Sequence, residues 1–369
     1  KNNGYSTGMA GKWHLGFEDG PDYDFTKPLR GGPFDRGFEY FYGQPASLDI
    51  PPYYYIENDR VPCPPTETVG ANFSEGWSPI QGAFWREGKI GPDYKFEEVL
   101  PRFTSKAVEF IDGQAKSQSE AGDDARPFML YLALTAPHTP WLPAEEFRGK
   151  SGAGMYGDFV MQVDDTVGQV LAALDKNGLE QNTLVFFTSD NGPVWYGEDT
   201  ERLGHASTGP WRGMKGDAWE AGTRVPFIAR WPGKVKPGST SSETICHVDL
   251  FATCADLVDA KTGENAGPDS VSLIPALLGT LPEGQSLRGQ LLTISSRNEP
   301  SLRMGQWKWI PVLGSAGFTK PSIDKPTPGG PTGQLYNLDT DPGEQNNLWQ
   351  TEPERVETMT KRYKEVMGE

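Results

Sequence analysis

The sequence predicts an α/β protein with a mostly parallel central sheet sandwiched by helices, followed by a small α+β domain with an antiparallel sheet. Residues 128–134 form a continuous apolar run, the pattern of a strand buried on both faces. Residues 159–174 carry apolar side chains at helical spacing, and residues 183–188 form a second apolar run. A strand, a helix and a strand in succession favour a parallel sheet joined by a crossover helix.

The pattern of predicted helices and strands changes after residue 284. Residues 224–229 still predict a buried strand and residues 247–258 a helix. After the break at residues 282–284, short strand-like segments and part of a terminal helix follow, at 291–295, 301–310, 334–338 and 359–367. We therefore expect two domains, residues 1–284 and residues 285–369.

The composition excludes some classes of protein. Among 369 residues, 34 are Lys or Arg and 50 are Asp or Glu, and the resulting net charge of −16 argues against a nucleic-acid partner. No apolar run approaches the ~20 residues that cross a bilayer, so we expect a soluble chain without a membrane span. The stretch 16–90 is rich in Pro, Gly and Tyr, and we expect it to be mostly loop and to wall a binding cleft.

The first residues of the chain carry a pair of basic side chains. Lys12 and His14 flank Trp13, and if this stretch is extended, both side chains project from one edge. Small residues nearby, among them Gly8 and Gly11, allow close approach of backbone or ligand. An ammonium beside an imidazole suits an anion. A basic turn with an ordinary histidine is the alternative interpretation.

Polar residues follow both apolar runs directly. His138 lies between two prolines after the first run, and Asp190 and Asn191 come after the second. Ligands of open α/β sheets bind outside the carboxyl ends of the strands. A carboxylate and an amide oxygen are hard ligands suited to calcium or magnesium. A simple turn at Asp190-Asn191-Gly192 and a structural histidine are the alternatives.

Several of these segments resemble the type I sulfatases, the formylglycine-dependent branch of the alkaline phosphatase superfamily. Residues 4–14 match the signature G-Y-x-T-x-x-x-G-K-W-H. The family's P-H-x-P, T-x-D-N-G, R-G-x-K-x-x-x-W-E-x-G-x-R-V-P and L-Y-x-L-x-x-D-P-x-E segments match, in the expected order, at 137–140, 188–192, 212–226 and 335–344.

The resemblance implies hydrolysis of sulfuric esters of a sugar, a polysaccharide or an aryl alcohol. It places Lys12, His14 and Lys215 on the sulfate and His138 near the leaving oxygen, with His14 also helping to expel sulfate. By the same resemblance Asp190 and Asn191 are calcium ligands, and Ser47 is a weaker match to a serine that reaches the active site in some relatives. Periplasmic or secreted localisation and a formylglycine-generating maturation enzyme are also implied.

One expected motif does not appear. In the family the Cys/Ser-x-Pro-x-Arg nucleophile motif precedes the Lys-x-His signature, whereas here only residues 1–3 do. We therefore expect the chain as given to lack the first βα portion, with its formylglycine, and to be inactive. Cys63 begins a similar run, but Glu67 stands where the motif requires Arg, so we expect no conversion of Cys63. Cys246 and Cys254 are interpreted as buried apolar residues rather than a disulfide.

Two alternatives to a sulfatase remain open. A non-catalytic binder of sulfated glycans would explain an absent nucleophile. A phosphoesterase of the same superfamily with two zinc ions needs several imidazole ligands, and the chain has 4 histidines, two of them assigned above to the sulfate pocket.

Overall fold

The computed structural model describes residues 1–18, 20 and 23–368. These divide into two compact units, Lys1–Thr183 and Leu184–Glu369. The domain boundary predicted at residue 284 stays a prediction. No helix in the described part of the chain is long and apolar enough to cross a membrane.

In its described residues the first unit contains six strands and two long helices. The strands are β1 (Ser6–Lys12), β2 (Tyr40–Gln44), β3 (Ile56–Glu57), β4 (Glu67–Val69), β5 (Gly88–Ile90) and β6 (Phe128–Ala133), and the helices are α1 (Val99–Ala121) and α2 (Gly154–Lys176). One sheet has the order β3-β2-β1-β6, and β1 runs parallel to both β2 and β6. The predicted parallel sheet is therefore present. The stretch 16–90 is mostly loop, as expected, with β2 to β5 as short strands within it.

Close packing explains the small residues of β1. A Cβ added at Gly8 would meet the ring of Phe110 on α1, and one at Gly11 would overlap the carbonyl oxygen of Ala133 on β6. Gly11 also has a φ of +123°, which side-chain-bearing residues rarely adopt. These glycines let β1 sit at the centre of the sheet, where Met9 and Ala10 are fully buried.

The prediction that residues 128–134 are buried on both faces is wrong. Met129 and Tyr131 on β6 are 42% and 51% exposed, whereas Ala133 is buried. Among the described strands β6 pairs only with β1, so it lies at an edge of this sheet. An apolar run does not reveal which of its faces is covered, because that depends on elements distant in sequence.

The second unit combines a two-stranded and a four-stranded sheet. Its strands are β7 (Val185–Thr188), β8 (Phe227–Arg230), β9 (Leu291–Ile294), β10 (Pro300–Met304), β11 (Trp307–Ile310) and β12 (Gln334–Asn337). Its helices are α3 (Gly197–Leu203), α4 (Glu220–Thr223), α5 (Asp249–Leu257), α6 (Ile274–Leu277) and α7 (Pro353–Met367). The four-stranded sheet has the order β12-β11-β10-β9 and is antiparallel throughout, as predicted.

Two further features of this unit differ from the sequence predictions or were not covered by them. The strand β7 pairs antiparallel with β8, a pair whose direction the sequence did not predict within the mostly parallel sheet. Cys246 and Cys254 form no disulfide, as expected, but the burial predicted for them is wrong, since Cys246 is only partly buried and Cys254 is exposed. The helix α5 is only two and a half turns long, and Cys254 lies away from the buried residues Asp249 and Thr253.

Candidate active site

The end of β1 presents Lys12 and His14. Lys12 is the last residue of the strand and is partly buried, and His14 is exposed. The amides of Trp13 and His14 donate to the carbonyls of Gln44 and Pro45, at 3.0 and 2.8 Å, so this segment stays beside the end of β2. His14 has a φ of +63°, however. The extended alternation expected for the pair is therefore wrong beyond Lys12, because a left-handed residue turns the chain.

The loop after β2 carries Ser47. Its side chain is 2% exposed, and its hydroxyl has no hydrogen-bond partner in the described structure. The loop is held by Gln44, whose amide donates to the carbonyl of Ala46 at 2.6 Å and accepts from the Tyr94 hydroxyl at 2.5 Å. A buried hydroxyl without a partner is costly, so Ser47 is suited to meet a ligand.

The loop after β6 carries His138. Its Nδ1 lies 2.8 Å from the carbonyl oxygen of Thr139 and 3.8 Å from Oδ1 of Asp49. Since a carbonyl oxygen only accepts, Nδ1 carries a proton, and Nε2 is the nitrogen that can take up and release a second one. The Thr139 hydroxyl and the Trp141 indole donate to the Gly82 and Pro137 carbonyls at 2.8 and 2.9 Å, which fixes the loop.

The candidate site residues of the first unit lie at the carboxyl edge of this sheet. Because β2, β1 and β6 are parallel neighbours, the residues that follow them leave from the same edge. Lys12, Ser47 and His138 all stand at or just after these ends. Two more buried polar atoms in these loops, Thr135 Oγ1 and Asp49 Oδ1, have no hydrogen-bond partner among the described residues. Neither residue was predicted from the sequence to be a site residue.

In the second unit Asp190 and Asn191 follow β7 directly. Asp190 is exposed and Asn191 is partly buried. The side-chain nitrogen of Asn191 donates to the Gly192 carbonyl at 2.9 Å, which leaves its side-chain oxygen as the atom suited to bind a cation. A Cβ at Gly192 would overlap the Ala221 carbonyl oxygen, so glycine is required there.

The donor set at Asp190 and Asn191 fits part of a calcium shell. A carboxylate and an amide oxygen are the right chemistry, but they fall short of the ~6 to 8 oxygens that calcium prefers. Within the described residues no group of three or more His, Cys, Asp and Glu could hold a metal ion. Further ligands would have to come from other oxygen donors.

Lys215 lies in a tightly held loop between two glycines. Gly213 and Gly216 have φ values of +89° and +83°, and the amide of Lys215 donates to the Pro193 carbonyl at 2.8 Å. This last bond ties the Lys215 loop to the segment that follows Asp190 and Asn191. Lys215 itself is partly buried.

Sequence reasoning missed a buried charge cluster next to this loop. Lys308 on β11, 2% exposed, lies 3.0 Å from Glu220 and 3.1 Å from Glu344. The guanidinium of Arg224 lies 2.6 Å from Glu220, and that of Arg303 lies 3.6 Å away. The available signal was Glu220 itself, a glutamate in a largely apolar and glycine-rich segment, but its partners Lys308 and Arg303 lie far along the chain.

The two glutamates of this cluster respond to it in opposite directions. Burial by itself would raise the pKa of Glu220, but the charges of Lys308, Arg224 and Arg303 outweigh it and lower that pKa to about 2. Burial raises the pKa of Glu344, which shares only Lys308 and also faces the charge of Glu220. Glu220 is therefore the firmly ionised member of the pair.

The site residues predicted from the sequence belong to both units. Lys12, His14, Ser47 and His138 lie within Lys1–Thr183, and the structure places them at or after neighbouring strand ends. Asp190, Asn191 and Lys215 lie within Leu184–Glu369, where the Lys215 amide joins their loops. That Lys12, His14, His138, Asp190 and Lys215 converge on one cleft stays a prediction.

Comparisons with known proteins point to one family. A sequence profile of the sulfatase family matches residues 1–260. N-acetylgalactosamine-6-O-sulfatase of Bacteroides thetaiotaomicron is 32% identical over 401 aligned residues, which cover 99% of this chain and 75% of that protein. Arylsulfatase A of Bos taurus is 34% identical, over 94% of this chain and 64% of that protein.

A solved structure gives the same result. It comes from work on the metabolism of multiple glycosaminoglycans by Bacteroides thetaiotaomicron, and it resembles this chain with a TM-score of 0.83 and 32% identity. The likeness covers 100% of this chain and 80% of that one. The chain thus spans about two thirds to four fifths of the length of these relatives. The profile match, the identity and the shared fold agree that the chain belongs to the sulfatase family.

Proposed function

We propose that the protein hydrolyses sulfuric esters of a sugar or polysaccharide. The observation that carries this proposal is the 32% identity to an N-acetylgalactosamine-6-O-sulfatase over 99% of the chain. It is supported by basic and acid–base side chains at the carboxyl ends of β1 and β6, where open α/β sheets bind ligands. An aryl sulfate is the second substrate class, since Arylsulfatase A is similarly related.

Three side chains bind the sulfate group of the substrate in this proposal. The ammonium groups of Lys12 and Lys215 and the imidazole of His14 hold the sulfate oxygens and offset the negative charge that shifts among them during reaction. A formylglycine nucleophile and a calcium ion, the latter held partly by Asp190 and Asn191, would supply attack on sulfur. Ser47 would donate its hydroxyl to the bound substrate.

His138 is the proposed general acid. When the bond between sulfur and the ester oxygen breaks, its electron pair stays on that oxygen, which takes a proton from Nε2 of His138. The Thr139 carbonyl accepts from Nδ1–H at 2.8 Å and so keeps the ring oriented in both protonation states. Oδ1 of Asp49 lies 3.8 Å from Nδ1, and the other oxygen of Asp49 lies 2.6 Å from Arg86.

Sulfate release from two substrates tests the proposal. The protein expressed from its complete gene and matured to formylglycine should release sulfate from N-acetylgalactosamine 6-sulfate and from 4-nitrophenyl sulfate. We expect His138→Ala to lower kcat/KM on the sugar by about 10²- to 10⁴-fold, and much less on nitrophenyl sulfate, whose leaving group needs little protonation. Lys215→Ala should lower both, because the sulfate is common to them.

A lysine far from these loops provides the control. Lys176 is an exposed residue on α2 that pairs with Asp112, and Lys176→Ala should leave both rates unchanged. Equal losses for His138→Ala on the two substrates would remove His138 from the acid role. Binding of sulfated sugar without release would favour the non-catalytic binder, and zinc-dependent phosphate release would favour the phosphoesterase.

Export and maturation complete the proposal. A periplasmic or secreted protein would meet extracellular sulfated glycans, and a formylglycine-generating enzyme would be its maturation partner. Fractionation of the source cells and mass spectrometry of the matured nucleophile test these two points.

A further inference from the structure

Asp217 is a buried carboxylate with an unusual number of donors. It is 1% exposed. Its Oδ1 accepts from the amides of Phe318 and Thr319, at 2.7 and 3.1 Å, and its Oδ2 accepts from the amide of Met214 and the hydroxyl of Thr319, at 2.9 and 2.5 Å. Hydrogen bonds to a charged acceptor are among the stronger ones in proteins.

These bonds connect two segments that are distant in sequence. Met214 immediately precedes Lys215, whereas Phe318 and Thr319 lie 101 and 102 residues beyond Asp217. One carboxylate therefore closes the turn that carries Lys215 and fastens it to the loop after β11.

Backbone contacts around Asp217 fix the same turn. The amide of Ser296 donates to the Gly216 carbonyl at 2.9 Å, and the amide of Ala218 donates to the Ser315 carbonyl at 2.7 Å. A Cβ at Gly317 would overlap the Gly216 carbonyl oxygen, so the two loops are in direct contact. The turn has little room to move while these contacts persist.

We propose that Asp217 is a positioning residue for Lys215, holding the turn 213–217 so that the ammonium group reaches the substrate's sulfate. The inference rests on the proposed role of Lys215 as a sulfate ligand. Asp217 does not touch substrate in this proposal. It acts through the backbone of the turn, and a displacement of about 1 Å in a positioned group can cost up to about a hundredfold in rate.

Asp217→Asn is the main test. It keeps the size of the side chain but replaces one acceptor oxygen by an NH₂ group, which opposes the amide or hydroxyl donors facing it. We expect amide hydrogen exchange across residues 213–219 to speed up, and kcat/KM for 4-nitrophenyl sulfate to fall about ten- to a hundredfold. Thr319→Val removes one donor only and should give a smaller change in the same direction, even if Asp217→Asn folds poorly.

Asp158 offers a matched control. It is also a buried carboxylate, and it accepts from the amides of Gly149, Lys150 and Ser151 at 2.7, 3.1 and 2.9 Å. No predicted site residue lies in that loop. We expect Asp158→Asn to lower thermal stability comparably while leaving both kcat/KM and exchange at 213–219 unchanged.

A double variant separates positioning from general destabilisation. In a Lys215→Ala background, Asp217→Asn should lower kcat/KM no further, because the group that it positions is gone. Unchanged exchange at 213–219 in Asp217→Asn, or a full additional loss of kcat/KM without Lys215, would overturn the inference. A Lys215→Ala variant with normal kcat/KM would overturn the proposed role of Lys215, whereas the exchange measurement still decides whether Asp217 holds the turn.

Discussion

The loop of His138 and the loop of Lys215 treat buried polar groups in opposite ways. Around His138, the hydroxyl of Thr135 and Oδ1 of Asp49 are buried without a hydrogen-bond partner in the part of the chain that the structure describes. Around Lys215, the carboxylate of Asp217 accepts four hydrogen bonds. An unsatisfied buried group costs stability, whereas a satisfied one holds its neighbours in place. The first loop is thus rich in groups suited to a ligand, and the second is built for rigidity.

The largest expected effect comes from the sheet that supports the His138 loop. Gly11→Ala places a Cβ on the carbonyl oxygen of Ala133, at a φ of +123°, and should separate β1 from β6. We expect the free energy of unfolding to fall by more than about 4 kcal/mol. Gly37 also has a positive φ, +108°, but open space around it.

Gly37→Ala therefore isolates backbone strain from the steric overlap. It should cost only about 1–3 kcal/mol. Urea unfolding followed by circular dichroism measures both variants, and equal losses would show that overlap with Ala133 does not constrain β1.

The charge cluster beside the Lys215 loop gives the next largest effect. Lys308→Met leaves Glu220 and Glu344 buried without their shared cation, and breaking a buried pair in this way costs about 3–5 kcal/mol. The same substitution at the exposed Lys176 should change the free energy of unfolding little. A small loss of unfolding free energy for Lys308→Met would mean that the cluster does not stabilise this region.

The pH dependence provides a second measurement of the same cluster. The pKa of Glu220 is about 2 in the folded protein against an ordinary value of 4.5, so its stabilising contribution is present above about pH 4.5 and is lost as the pH falls towards 2. Glu344 has a raised pKa and contributes with the opposite sign, losing stability as pH rises. Glu220→Gln should therefore flatten the acid side of the stability curve. An unchanged acid limb would contradict the lowered pKa.

The smallest expected effect tests the comparison between the His138 loop and the Lys215 loop most directly. Thr135→Val removes a buried hydroxyl that has no partner, so it should change the free energy of unfolding by less than about 0.5 kcal/mol or raise it. Thr319→Val removes a donor to Asp217 and should cost about 1.5–3 kcal/mol. Chemical unfolding of the two variants, measured side by side, checks this. A larger loss of unfolding free energy for Thr135→Val than for Thr319→Val would contradict the comparison.

Local patterns predicted much of the fold and of the candidate site. The apolar run at 128–134, the helical spacing at 159–174 and the short strands after residue 284 all correspond to observed elements. The helix α1 was not predicted, although Val99, Phe103 and Ala107 have helical spacing and are all buried. The short motifs identified the sulfatase family, because each motif is contiguous in sequence.

By itself, then, the sequence determined the family, the α/β class and the segments that carry Lys12, His138 and Lys215. Tertiary structure alone decided that β7 pairs antiparallel with β8, that His14 leaves the extended conformation, and that Met129 is exposed. It also decided the partners of Asp217 and Glu220, because Thr319 lies 102 residues from the first and Lys308 lies 88 residues from the second. Local propensity and periodicity report on neighbours along the chain, whereas pairing, burial and ion pairs depend on residues that only folding brings together.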